Sequence, residues 1–207
     1  MKRSELQETL LQDEMSSNFR QNSDAKLSGF LIDEPLYQPF YCEENMWHLC
    51  QSPGLQAYSP HVVFISNANR ACMFFEQAQA APHVGLVWDY HVITVAVAED
   101  VWVFDLDTRL SMPCRLLNYL AGTFSAMTPT PYLPRFRVLS AAQYLSSFSS
   151  DRSHMHQGNH WLQPPPPWPP LILNDVSMNL DEYVTLRKGG PGMVMEADML
   201  QSYFLRK

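Results

Sequence analysis

Residues 86–106 read Leu86-Val-Trp-Asp-Tyr-His-Val-Ile-Thr-Val-Ala-Val-Ala98, then Glu99-Asp100, then Val101-Trp-Val-Phe-Asp-Leu106. Both arms are rich in β-branched and aromatic side chains, and a short polar pair separates them, so the stretch predicts a β-hairpin. Around it, helical and extended patterns are mixed without a regular βαβ alternation. The fold class that follows is α+β, a mainly antiparallel sheet flanked by helices.

Working outward, His61-Val-Val-Phe-Ile-Ser66 and residues 136–139 predict further strands, while residues 114–124, 141–148 and 193–204 predict helices. A mixed, helix-like stretch covers 72–80. Residues 151–170 read as one irregular loop that ends in Pro164-Pro-Pro-Pro-Trp-Pro-Pro170, and Gly189-Gly-Pro-Gly192 reads as a turn. Upstream, Met46, Leu49 and Cys50 mark the buried face of a helix over 42–50, with Pro39 before it and Glu43 and Glu44 in its first turn. Residues 1–36 are polar and Ser/Asn-rich, weakly helical at 4–15, and read as a mobile extension of a single domain spanning 37–207.

The chain has 207 residues, is 46% hydrophobic and carries 14 Lys+Arg against 21 Asp+Glu, a net charge of -7. With no Lys/Arg run beyond Lys2-Arg3, neither nucleic acid nor an anionic membrane is an expected partner. Nowhere do about 18 apolar residues run together as a span requires, so we expect the reducing interior of the cell. Cys42, Cys50, Cys72 and Cys114 stand singly, without the C-x-x-C spacing of a zinc or thioredoxin motif. No metal is expected, and His154, His156 and His160 read as a solvated loop.

A thiol attacks a carboxamide as thiolate, and a helix N-terminus beside an imidazole lowers its pKa. Cys42 has the first by position, although Glu43 and Glu44 oppose it; Cys50 lies on the apolar face and reads as core. His91 is the candidate imidazole, set mid-strand where another valine would pack as well. Side chains alternate along a strand, so His91 and Asp105 share a face if the hairpin loop has an odd length, for example three residues. Asp107 passes the same test but resembles a strand-end turn residue, which favours Asp105 as the acid that orients the ring. Asp89, two residues from His91, reads equally as a structural hydrogen-bond acceptor or, for a substrate that carries a cation, as its partner, and Glu43, beside the nucleophile, equally as a first-turn helix acid or such a partner.

Tyr41-Cys-Glu-Glu-Asn45, Val63-Phe-Ile-Ser-Asn67, Val87-Trp-Asp-Tyr-His-Val92, Asp105-Leu-Asp-Thr108, Phe136-Arg-Val138, Ser150-Asp-Arg-Ser-His-Met155, Pro164–Pro167 and Met178-Asn-Leu180 occur in the order seen in protein N-terminal glutamine amidohydrolases. The resemblance runs over about 37–204. It implies a fold related to the transglutaminase and papain-like thiol enzymes, and a Cys42–His91–Asp105 triad acting without a cofactor. It also implies protein or peptide substrates with N-terminal glutamine, a cytoplasmic and nuclear location, and a place in the N-degron pathway. We expect a monomer. Departures are the long N-terminal extension, a shorter hairpin loop between His91 and Asp105, and Trp168 where tyrosine is more familiar. The rival readings are a papain-like protease and a non-enzymatic adaptor displaying the proline run.

Overall fold

The computed structural model describes residues 30, 32, 34–186 and 189–206. The weakly helical stretch 4–15 lies outside them. Within the stretch read as an extension, Phe30 is buried, with its ring against Tyr58, Trp102 and Phe104.

In chain order the elements are α1 (Cys42–Leu49), α2 (Pro53–Gln56), β1 (His61–Ser66), β2 (Cys72–Phe74), β3 (Leu86–Trp88), β4 (His91–Val97), β5 (Val101–Phe104), β6 (Cys114–Arg115) and α3 (Leu116–Thr123). They continue with β7 (Arg135–Ser140), α4 (Ala141–Ser147), β8 (His156–Gln157), β9 (His160–Trp161), α5 (Leu180–Val184), β10 (Met193–Met195) and α6 (Ala197–Leu205). Six strands form one sheet in the order β10-β7-β1-β4-β5-β6, and each neighbouring pair is antiparallel. The α+β, mainly antiparallel expectation is met.

The alternation of side chains along β1 and β4 feeds two cores. Val62, Phe64, Val92 and Ala96 pack with Met46 and Leu49 of α1, Tyr144 of α4 and Tyr183 of α5. Val63, Ile65, Ile93 and Val95 pack with Leu116 and Tyr119 of α3 and Leu200 and Phe204 of α6. Helices thus cover both faces, and burial along β1 and β4 is nearly continuous instead of alternating.

Three local expectations are corrected. Residues 72–80 are not helical: Arg70 and Glu76 adopt left-handed φ values of 48° and 54°, which a helix cannot carry, and the segment between them pairs as β2 with β3. The run 86–98 is not one strand. Asp89 takes its neighbour's Tyr90 N–H on its own carboxylate (3.0 Å), and the Asp89 carbonyl accepts from Ser66 Oγ (2.7 Å), so the backbone bends between β3 and β4. His91 is therefore the first residue of its strand, not a mid-strand one. The terminal helix starts at Ala197, because Met193–Met195 pair with β7. Gly192 makes that approach possible: at φ 67° it lies so close that a Cβ would come within 2.2 Å of the Val138 carbonyl oxygen.

Candidate active site

The site lies at the end of the sheet where β4 begins. Cys42 is the first residue of α1, which packs on one face, while the His91 side chain belongs to the opposite face, its ring edge-on to Phe74 at 5.5 Å. At this end the two faces meet, and Cys42 and His91 line one cavity of about 330 Å³. Cys42 is only 7% exposed.

The hairpin parity holds. The last β4–β5 pair is Val97 with Val101, leaving a three-residue loop at 98–100, and His91 and Asp105 fall on the same side. Asp105 Oδ1 lies 2.8 Å from His91 Nε2 and also accepts from the Asp107 backbone N–H (2.9 Å), while Oδ2 accepts from Tyr119 OH (2.8 Å). Burial works against the Asp105 charge, but His91 and these donors hold its carboxyl below the usual range. His91 answers in kind. Burial pushes its pKa down, the Asp105 charge and hydrogen bond push it up, and the balance is upward. The Nε2 atom faces Asp105, which leaves Nδ1 as the other ring atom available for proton transfer.

Cys42 departs from expectation. Burial first, then Glu43, push its thiol well above the ordinary value, outweighing a hydrogen bond with the Val92 backbone that lowers it. The two first-turn acids are both fully buried. Glu43 Oε2 accepts from Tyr90 OH (3.0 Å) and from the Cys42 thiol (3.7 Å), and burial pushes the Glu43 carboxyl up to about 7. Glu44 receives both Arg152 Nε and a terminal nitrogen at 2.7 Å, and Trp168 Nε1 at 2.7 Å. Arg152 in turn donates to the Trp168 carbonyl at 2.9 Å, and Tyr41 OH donates to the Gln163 carbonyl at 3.2 Å. The proline run is thereby tied to the helix that carries the cysteine. The cavity wall includes Asp89, exposed at the bend, but not Glu43. Cys50 is fully buried against Thr94, as a core thiol.

His154 was expected in a solvated loop and is not. Its Nε2 lies 3.4 Å from Tyr90 OH and 3.6 Å from Glu43 Oε1, and burial pushes its pKa down. The signal available was its place two residues after Arg152, whose buried ion pair with Glu44 pins the loop there. Asp107, which the sequence places as a strand-end turn residue, belongs to the site as well: it is 4% exposed and lines the cavity. Among the described residues, His91, Asp105 and Asp107 form the one cluster with metal-ligand spacing, their ligating atoms within 4.8 Å of one another. The Asp105 oxygens are already engaged by His91 and Tyr119.

A cysteine facing the same cavity as an imidazole with a buried carboxylate behind it has the chemistry of acyl transfer through sulfur, the class of the thiol hydrolases. The sequence profile of the N-terminal glutamine amidase family matches residues 37–204. The protein named Protein N-terminal glutamine amidohydrolase in Homo sapiens is 36% identical over 167 residues, 74% of this chain and 80% of that one. Its namesake in Danio rerio is 35% identical over 161 residues (73% and 79%), and that in Drosophila mojavensis 35% over 183 residues (82% and 88%). The chain belongs to the N-terminal glutamine amidase family, and so to the amidohydrolases.

Proposed function

We propose that this protein deamidates the side chain of N-terminal glutamine, giving N-terminal glutamate and ammonia. The observation that carries the reading is the shared cavity of Cys42 and His91, with Asp105 bonded behind the ring, in a chain whose relatives bear that name. A cavity of about 330 Å³ suits one side chain and its amine better than a continuous peptide, which favours this reading over a protease.

Burial keeps Cys42 a thiol at rest, so its proton passes to His91 as sulfur attacks the side-chain amide carbon. Backbone N–H groups at the start of α1, that of Cys42 among them, hold the oxyanion. His91 returns the proton to nitrogen, the C–N bond breaks and ammonia leaves a glutamyl thioester. A water deprotonated by His91 then adds, the C–S bond breaks, and glutamate departs as the thiol is restored. Asp105 keeps the ring oriented throughout. Asp89, exposed on the cavity wall, is the first candidate partner for the substrate α-ammonium. Glu43, buried behind the nucleophile, is the second and acts by charge alone. No cofactor enters the scheme. By the resemblance, the enzyme works in cytoplasm and nucleus and feeds the N-degron pathway, on a core related to the transglutaminase and papain-like enzymes; its expected state is a monomer.

The test compares peptides beginning with Gln, Asn and N-acetyl-Gln, reading ammonia release and, by mass spectrometry, any backbone cleavage. Gln alone should react. Acetylation removes the charge that an acid at the mouth would pair with, at about 1–3 kcal/mol or more. Asn places its amide carbon short of Cys42, and a misplacement of ~1 Å can cost about 10²-fold. Turnover of the acetylated peptide at the rate of the free one would overturn amine anchoring, and backbone cleavage would overturn the amidohydrolase reading.

A further inference from the structure

His91 has a carboxylate on either side of its task. Asp105 is behind the ring and is absent from the cavity wall, whereas Asp107 lines the cavity together with Cys42 and His91. The Asp107 carboxylate is close to the ring, its ligating oxygen lying within 4.8 Å of the corresponding His91 nitrogen. Among the described residues, the side-chain hydrogen bonds to Asp107 both fall on Oδ1, from Tyr37 OH at 2.7 Å and from Gln79 Nε2 at 2.7 Å. Among the same residues, Oδ2 has no side-chain donor. Gln79 also lines the cavity, and because its amide nitrogen is committed to Asp107, its carbonyl oxygen Oε1 faces the other way, buried and with no hydrogen-bond partner.

Two acceptors therefore stand close to the proton-transfer residue, the Asp107 carboxylate on the cavity wall and the buried, unpartnered Gln79 carbonyl next to it. A carboxamide nitrogen is their complement, having two N–H donors and no acceptor. The carboxylate that replaces it after hydrolysis is the opposite, acceptors only and negatively charged. The α-ammonium is a poor alternative occupant, since it lies at the far end of the glutamine side chain from the atom that His91 must protonate.

We propose that Asp107 and Gln79 form the subsite that recognises the scissile carboxamide nitrogen, holding it beside His91, and that the same acceptors drive the carboxylate product out. The inference rests on the deamidation reading and names the residues that read amide against acid. A buried acceptor left without its donor is costly, which is how polar sites reject analogues lacking one N–H.

The experiment compares wild type with Asp107→Asn on two substrates, a Gln-initiated peptide and the same peptide carrying the γ-methyl ester of glutamate in that position. Both acylate Cys42 to the same thioester, and comparing the loss on substitution for each substrate cancels their different intrinsic reactivity, so the comparison isolates the N–H donors of the leaving group. Asparagine keeps the backbone N–H that Asp105 Oδ1 accepts, and with it the orientation of His91. The expected result is a loss of about 10–100-fold in kcat/KM for the amide with less than about threefold for the ester. The N-terminal glutamate peptide should also inhibit the variant more strongly than wild type. Gln79→Met, which removes the unpartnered carbonyl, should shift the amide-to-ester ratio in the same direction by less, and it carries the test if Asp107→Asn does not fold. Equal losses on amide and ester would overturn the subsite. Failure of the underlying reading is separate, because wild type would then release no ammonia from the Gln peptide.

Discussion

Asp105 reaches His91 Nε2 at 2.8 Å although the two are not ladder partners. The β4–β5 register closes with Thr94 opposite Phe104, and carried onward it would set Asp107 across from His91. The chain instead leaves the ladder after Phe104 and turns on the Asp107 N–H bond to Asp105, which puts one acid behind the ring and the other on the cavity wall. The two aspartates thus acquire different chemistry from adjacent places on one strand end.

Asp105→Asn should accordingly lower kcat by about 10³–10⁴-fold with the fold retained, the size of loss seen when an orienting acid in such a triad is made neutral. Asp107→Asn should be milder on the Gln peptide, at about 10–100-fold. Tyr119→Phe removes one donor to Asp105 Oδ2 and should cost about tenfold, the equivalent of one ordinary hydrogen bond. Steady-state kinetics with circular dichroism on each variant decides the ranking, and the reverse order for the two aspartates would exchange their roles.

Cys42→Ala should abolish ammonia release without loss of structure. Cys50→Ala should keep most of the activity while the melting temperature falls by a few degrees, since a truncated core thiol costs about 1–2 kcal/mol. Substantial turnover by Cys42→Ala would remove sulfur from the mechanism.

Glu43 gives a pH signature. Its carboxyl is raised by burial from an ordinary 4.5 to about 7, so between those values the unfolded chain has lost a proton that the native protein retains. Stability from this group is therefore full at low pH and lost as pH rises towards 7, by about 3 kcal/mol over the interval. Glu43→Gln should raise the melting temperature more at pH 8 than at pH 4.5. It should also speed alkylation of Cys42 by iodoacetamide at pH 7, because a negative charge 3.7 Å from the sulfur is gone. An unchanged alkylation rate would mean that Glu43 does not set the cost of the thiolate.

Removing one partner of the buried Glu44–Arg152 pair leaves a charge in the interior, and Arg152→Met should destabilise by about 3–5 kcal/mol. Glu44→Gln with Arg152→Met should recover part of that, because no unpaired charge remains. Thermal denaturation of the single and double variants measures the difference.

Much of this site was legible in the sequence because its signals are local. A cysteine after a helix start, an imidazole in a valine-rich strand and an acid at matching parity need only the periods of helix and strand. What escaped was set by distant partners. The bend at Asp89 depends on Ser66, and the burial of Glu44 depends on Arg152 and Trp168 more than a hundred residues along the chain. His154 followed the same pair into the site. The β2 segment failed for a different reason: the left-handed residues at its ends, Arg70 and Glu76, are not the glycines that usually announce such a conformation.

The three residues at 98–100 that close the hairpin also limit how this gene can drift. Surface hairpin tips ordinarily tolerate added or lost codons, since lengthening a loop costs little entropy. Here, with the ladder fixed on the His91 side, a single inserted residue propagated into β5 would turn Asp105 to the opposite face and leave His91 without its acid. A change that stays within the unpaired tip, one absorbed by a bulge, or one in steps of two preserves the face that Asp105 presents. Homologous tips should therefore vary in length while the acid that meets His91 keeps its place relative to the last β4–β5 pair.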